Sequence, residues 1–267
     1  MQKKTKKLND GEKEEYLIKI KLCNLRDNKK DIQNIGKINS VGFKEEYKTT
    51  DWSLIDFEKL KNNQKEIRRI AKILNITKSS SKDKADIKIN NINYSLKCIG
   101  YSMPAIVNNT NRTGWLKVSE IINQDIKLLD NLIDEYWKLR ISGKIYEDCP
   151  NFNNNSPFSN HIEIIKPYLD FFVFKGSGQG ESELSAEKIL EFRTFNEIST
   201  WKIFGNEYIQ HHWNRLYFCM RSTKGMPKNY NNYEHKNIIS PWTRYFKGKK
   251  GEKKHRGALH VRVGDLF

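Results

Sequence analysis

The run KADIKINNINYSLKCIGYSMPAIVNNTNRTGW, from Lys84 to Trp115, decides how this chain is read. Asp86 opens an apolar-alternating stretch with Ile87 and Ile89. The Asn90-Asn91 step, with Asn93 close behind, predicts a tight turn, and Ile92 with Tyr94 to Ile99 predicts the return strand. On the two-residue pleat Ser95 and Lys97 share one face, while Leu96 and Cys98 take the other. The hairpin therefore sets a carboxylate and an ammonium side by side at one edge of a sheet. That pairing suits a divalent cation and a phosphate.

An Asp, a strand return and then a residue-x-Lys triplet resembles the active-site hairpin of the PD-(D/E)xK nucleases, the restriction-endonuclease-like superfamily. The following AIVNNTNRTGW is similar to the post-lysine segment of some type II restriction endonucleases. Two positions depart from the pattern: Ala85 stands at the proline, and Ser95 stands where a Glu or Asp normally ligates metal. The resemblance implies an α/β fold with a mixed central sheet flanked by helices, and Mg2+-dependent hydrolysis of double-stranded DNA. It makes Asp86 a metal ligand, Lys97 the group that holds the attacking water or stabilises phosphorane charge, and Ser95 at most a partner of metal-bound water. Family habit adds a homodimer, and a DNA methyltransferase encoded alongside as the other half of a restriction-modification system.

With Ser95 neutral, a second carboxylate must come from elsewhere. DFEKLKNNQKEIRRIAKILN, Asp56 to Asn75, has apolar residues at helical spacing with Asp56 placed as N-cap, and Glu66 borders the apolar stripe. In the superfamily a glutamate on the helix before the hairpin often points into the site, so Glu66 is the expected recruit and second metal ligand. Glu120 and Asp125 are the alternatives, within KVSEIINQDIKLLDNLIDEYW, which reads as an amphipathic helix.

Lys and Arg outnumber Asp and Glu, 48 to 32, for a formal charge of +16. Such an excess matches a phosphate-backbone partner, and the abundance of Lys, Asn and Ile also matches an AT-rich coding sequence. KGKKGEKKHR near the C-terminus contributes Lys249, Lys250, Lys253 and Lys254 as expected DNA contacts. The strand-like ALHVRVG adds Arg262 on a basic face. Asn108, Asn109, Asn111 and Arg112 carry side chains of the kind that pair with adenine and guanine edges. The same NNTNRTG also reads as an ordinary polar turn ahead of a helix.

Residues 1–15 read as a basic arm, and 16–267 as one nuclease domain with its DNA-recognition elements after residue 100. YLDFFVFKG, Tyr168 to Gly176, reads as a core strand, followed by GSGQGES as a mobile loop. Cys23, Cys98, Cys149 and Cys219 are scattered without a metal rhythm, which predicts reduced thiols in a core. No apolar run is long enough to cross a bilayer and the N-terminus lacks a signal core, so a cytoplasmic protein is expected. His211-His212 with Asn214 and His235 have the wrong spacing for a His-Asn-His nuclease unit. Two other readings remain open: a basic nucleic-acid-binding protein without catalysis, and a repair or structure-specific nuclease of the same fold.

Overall fold

The computed structural model describes residues 7–100, 102–221, 242 and 257–264, and the backbone of 244–247 and 253–256. The elements that matter run in chain order as follows. The first are α1 (Asp10–Asp27), β1 (Val41–Gly42), α2 (Gln64–Ile73), β2 (Ile87–Ile89), β3 (Ile92–Cys98) and β4 (Ala105–Asn111). Next come α3 (Arg112–Ile121), α4 (Ile126–Ile141), β5 (Cys149–Pro150), α5 (Ile162–Asp170) and β6 (Lys188–Phe192). The last are β7 (Lys202–Phe204), α6 (Tyr208–His212), β8 (Leu216–Arg221) and β9 (Ala258–Val263). They fall into two compact units, Met1–Ser102 with Glu183–Gly205, and Met103–Ser182 with Asn206–Phe267.

The first unit is built on a mixed five-stranded sheet of order β7-β6-β3-β2-β1. Only the β6–β3 pair is parallel, because β6 returns to the sheet after the whole first stretch of the second unit. The β2–β3 hairpin closes on Asn90 and Asn91, with φ of 49° and 66°. Two successive left-handed residues make the turn whose twist matches the strands, and asparagine tolerates that conformation better than other non-glycine residues. Ile87, Ile89, Tyr94, Leu190 and Phe192 send their side chains into a core closed by α1 and α2. An Asn9–Glu12 capping box starts α1. The arm expected over residues 1–15 is thus helical from Asp10 onward, and Glu14 within it is buried.

The helix expected over Asp56 to Asn75 is two: Phe57–Asn62, capped by Asp56, and α2, capped by Asn63, which accepts from the Glu66 amide. A side chain able to cap in mid-segment starts a new helix there.

The second unit carries an antiparallel sheet of order β4-β9-β8-β5. The last strand is where the alternation of ALHVRVG puts it. Two readings of this half are corrected. YLDFFVFKG is the end of α5, running on through Phe171–Lys175 as π-type turns, with Phe171 to Phe174 all buried. A short run that is apolar all round has no face to betray its period, so strand and helix cannot be told apart from it. GSGQGES is a tight two-stranded turn fixed to α3: a Cβ on Gly114 would come 3.1 Å from the Gly178 backbone, and Lys117 donates to the Gln179 carbonyl. Only paired glycines permit that approach. Among the described residues no helix is long and apolar enough to cross a membrane.

Candidate active site

Asp86 sits at the mouth of the hairpin, directly before β2, and its amide donates to the Tyr94 carbonyl at 2.8 Å. Continuing the Ile87–Tyr94 register by one step places it opposite Ser95. Its carboxylate is held by three donors. The Ser79 hydroxyl reaches Oδ1 at 2.7 Å, while the Leu96 amide at 2.8 Å and the Ser95 hydroxyl at 3.3 Å reach Oδ2. These bonds hold the carboxylate in one orientation.

Lys97 lies two residues beyond Ser95 on the same strand face. The residue is half-buried, and its ammonium is set among protein groups. Burial pushes that ammonium below the usual lysine range, and the Asp86 carboxylate pulls it partway back. Lys84 has the same neighbours. Burial, followed by the positive charge of Lys97, pushes it down to about 8, with Asp86 opposing. Among the described residues no carboxylate comes within the 4.0 Å of an ion pair with either lysine. The structure thus gathers Asp86, Ser95 and Lys97, as the hairpin reading requires, and adds Lys84 and Ser79.

Glu66 is engaged elsewhere, with both oxygens on Arg69: 2.8 Å to Nε and 2.5 Å to Nη2, at the surface of α2. Asp125 caps α4 by accepting from the Lys127 amide, and Glu120 is exposed on α3, both in the second unit. The acid tied most closely to Asp86 is Glu15 of α1. Its Oε1 lies 3.1 Å from the Ser79 hydroxyl, which bridges the two carboxylates. Glu15 also accepts from the Ser79 amide at 3.0 Å and pairs with the fully buried Lys19 at 2.6 Å. A further buried acid, Glu191 of β6, is the register partner of Lys97 and shares its sheet face. A cleft of about 420 Å3 opens beside Ser79, lined by Phe43, Lys44, Glu45, Tyr47, Asn75, Thr77, Lys78 and Ser80.

Among the described residues no group of three His, Cys, Asp or Glu side chains converges on one point. A metal caged by protein ligands alone therefore does not match this donor set. Mg2+ more often takes one or two carboxylates and completes its shell with water and substrate phosphate, and Asp86 fits that mode. Thiol chemistry is disfavoured by the geometry: burial pushes Cys98 and Cys219 up to about 11 and Cys23 to about 12, and all four cysteines are free.

The expected base-reading set divides. Asn108 and Asn109 are exposed, at a step where Asn109 has φ of 45°. Asn111 instead caps α3, accepting from the Gly114 amide at 3.0 Å. Arg112 makes a two-pronged pair with Asp130 at 2.8 and 2.6 Å, and Asp130 also accepts from the Trp242 indole. Arg262 is bonded to Asp148. Lys249 and Lys250 lie outside the described residues, as does His235. Lys253 and Lys254 lie on a strand, Lys253–Arg256, that pairs with Arg244–Lys247.

No protein-family model, no curated protein and no solved structure matches this chain.

Proposed function

We propose that this chain is a DNA endonuclease of the restriction type, using Mg2+ to hydrolyse phosphodiesters of double-stranded DNA on a restriction-endonuclease-like first unit. The observation that carries the reading is the constellation at the hairpin mouth: one oriented carboxylate beside two ammonium groups that have no ion-pair partner among the described residues. Ammonium groups without an ion-pair partner can take up an anionic oxygen as a charge-assisted partner. The strand order agrees with the reading, since the hairpin is central and its lysine strand is joined by a parallel neighbour.

Asp86 is the protein ligand for the ion, with Glu15 behind Ser79 as the nearest second acid. When bound, Mg2+ polarises the phosphate and acidifies a coordinated water. Ser79, Ser95 and the Leu96 amide hold the Asp86 carboxylate in place. Lys97 stabilises the negative charge that grows on the non-bridging oxygens, and Ser95 contributes a hydroxyl to the water structure beside it. Asn108 and Asn109 are the members of the recognition set whose side chains are exposed, and the basic surface supplies sequence-independent affinity that falls log-linearly with salt. A palindromic target calls for a two-fold assembly.

The test is incubation of unmethylated plasmid with the protein in Mg2+ and in EDTA. Discrete bands in Mg2+ alone are expected. Smears or cuts confined to structured ends would assign a repair-type nuclease, and tight DNA binding without cleavage would assign a non-catalytic binding protein.

A further inference from the structure

Lys84 has no counterpart in the Asp, Ser-x-Lys pattern of the hairpin, yet the fold places it there deliberately. Its amide and that of Ala85 both donate to the Leu184 carbonyl, at 2.9 and 3.1 Å, so the segment entering β2 is pinned to the segment entering β6. This fixes the Lys84 backbone two residues from Asp86, and its ammonium lies within electrostatic reach of both Asp86 and Lys97. The buried Lys19 shows what this chain does with a structural lysine. Its ammonium is matched by Glu15 at 2.6 Å and the Thr77 carbonyl at 3.0 Å, with the Phe43 ring 5.6 Å away. Lys84 and Lys97 have no such set among the described residues. Two ammonium groups beside Asp86 suit a phosphodiester, which carries the opposite charge in a tetrahedral arrangement that they can straddle.

We propose that Lys84 is a second catalytic lysine, forming with Lys97 a two-ammonium clamp that holds the scissile phosphate against Asp86. The assignment rests on the hydrolytic reading above. Lys97 and Lys84 contact the non-bridging oxygens, and neither is consumed: water supplies the oxygen that bonds to phosphorus, the P–O bond to the leaving sugar breaks, and the proton lost by water replaces the one gained by the leaving oxygen through solvent.

The experiment compares wild type, Lys84→Met and Lys84→Arg as full chains, with three readouts: plasmid cleavage in Mg2+, binding of a fluorescent DNA duplex in EDTA across a salt series, and thermal melting. Loss of a charge contact used in the transition state predicts a fall in cleavage on the order of 100-fold or more for Lys84→Met. Lys84→Arg, which keeps the charge, should recover most of it. The salt slope of duplex binding should shrink by about one phosphate contact in Lys84→Met. Its melting temperature should match that of wild type, because Lys84 has no ion pair among the described residues to lose. Cleavage by Lys84→Met within about 3-fold of wild type, against the fall expected of a charge contact, would overturn the clamp and leave the nuclease reading standing. So would a lowered melting temperature with activity that arginine fails to restore, which marks a structural lysine. A wild type that cuts no DNA would overturn the nuclease reading and the clamp with it.

Discussion

Two corners of the first unit hold lysines beside a carboxylate, and they are built on opposite terms. At the corner of α1, Lys19 is fully buried and fully matched by Glu15, the Thr77 carbonyl and the Phe43 ring. At the hairpin mouth Lys84 and Lys97 lie beside Asp86, whose carboxylate is already bonded to Ser79, Ser95 and the Leu96 amide, and neither lysine has an ion pair among the described residues. A polar group whose partners are all inside the protein serves the fold. One without such partners is open to a partner from outside, which is the reading proposed for the hairpin. The same contrast sorts the second unit, where Asn111, Arg112 and Arg262 are spent on a helix cap and on Asp130 and Asp148.

The contrast is most exposed to failure at the hairpin. Asp86→Asn and Lys97→Met should each lower cleavage on the order of 100- to 1000-fold while duplex binding in EDTA persists. Near-normal cutting by either, with circular dichroism unchanged, would move the active site off the hairpin. Lys19→Met should do the reverse. Breaking one side of a buried pair costs about 3 to 5 kcal/mol, read by chemical denaturation, with cleavage per folded molecule unchanged. If Lys19→Met instead spares stability and stops cleavage, the two corners have been assigned the wrong way round.

Arg112 tests the sorting in the second unit. Arg112→Met should cost about 2 kcal/mol of stability, the scale of hydrogen bonds to a charged partner, and a double-mutant cycle with Asp130→Asn should show most of that as coupling. A change in sequence preference with stability intact would return Arg112 to the recognition set. The smallest effect is expected at Glu66. Its pair with Arg69 is solvent-screened, so Glu66→Gln should leave melting unmoved and the Mg2+ concentration for half-maximal cleavage unchanged. A rise of about tenfold, as loss of a metal-site carboxylate would give, would place Glu66 in the ion site as the helix position suggests.

The hairpin was legible because everything that specifies it is local. Alternating apolar residues, an Asn-Asn step able to turn left-handed, and a two-residue pleat together bring Asp86, Ser95 and Lys97 into line. The remainder of the site depends on contacts far along the chain. Nothing local singles out Ser79, and only the fold brings its hydroxyl between Glu15 and Asp86. Glu191 shares the face of Lys97 through a parallel pairing that no local pattern announces. Lys84 lies inside the decisive stretch, but a lysine three residues ahead of a strand carries no periodic signal. Arg112 and Arg262 had the right chemistry for DNA, but sequence does not show which acid lies across from an arginine.

The discontinuity of the first unit also has a consequence for synthesis. The hairpin bearing Asp86 and Lys97 leaves the ribosome long before β6, the strand that completes its sheet. Roughly ninety residues lie between, and at ~5–20 residues per second that is a delay of about 5 to 20 s. During it the lysine strand is a bare edge and the Leu184 carbonyl that anchors Lys84 does not yet exist. The anchor of Lys84 and the strand beside Lys97 are therefore both supplied only after the intervening segment of the second unit has been made.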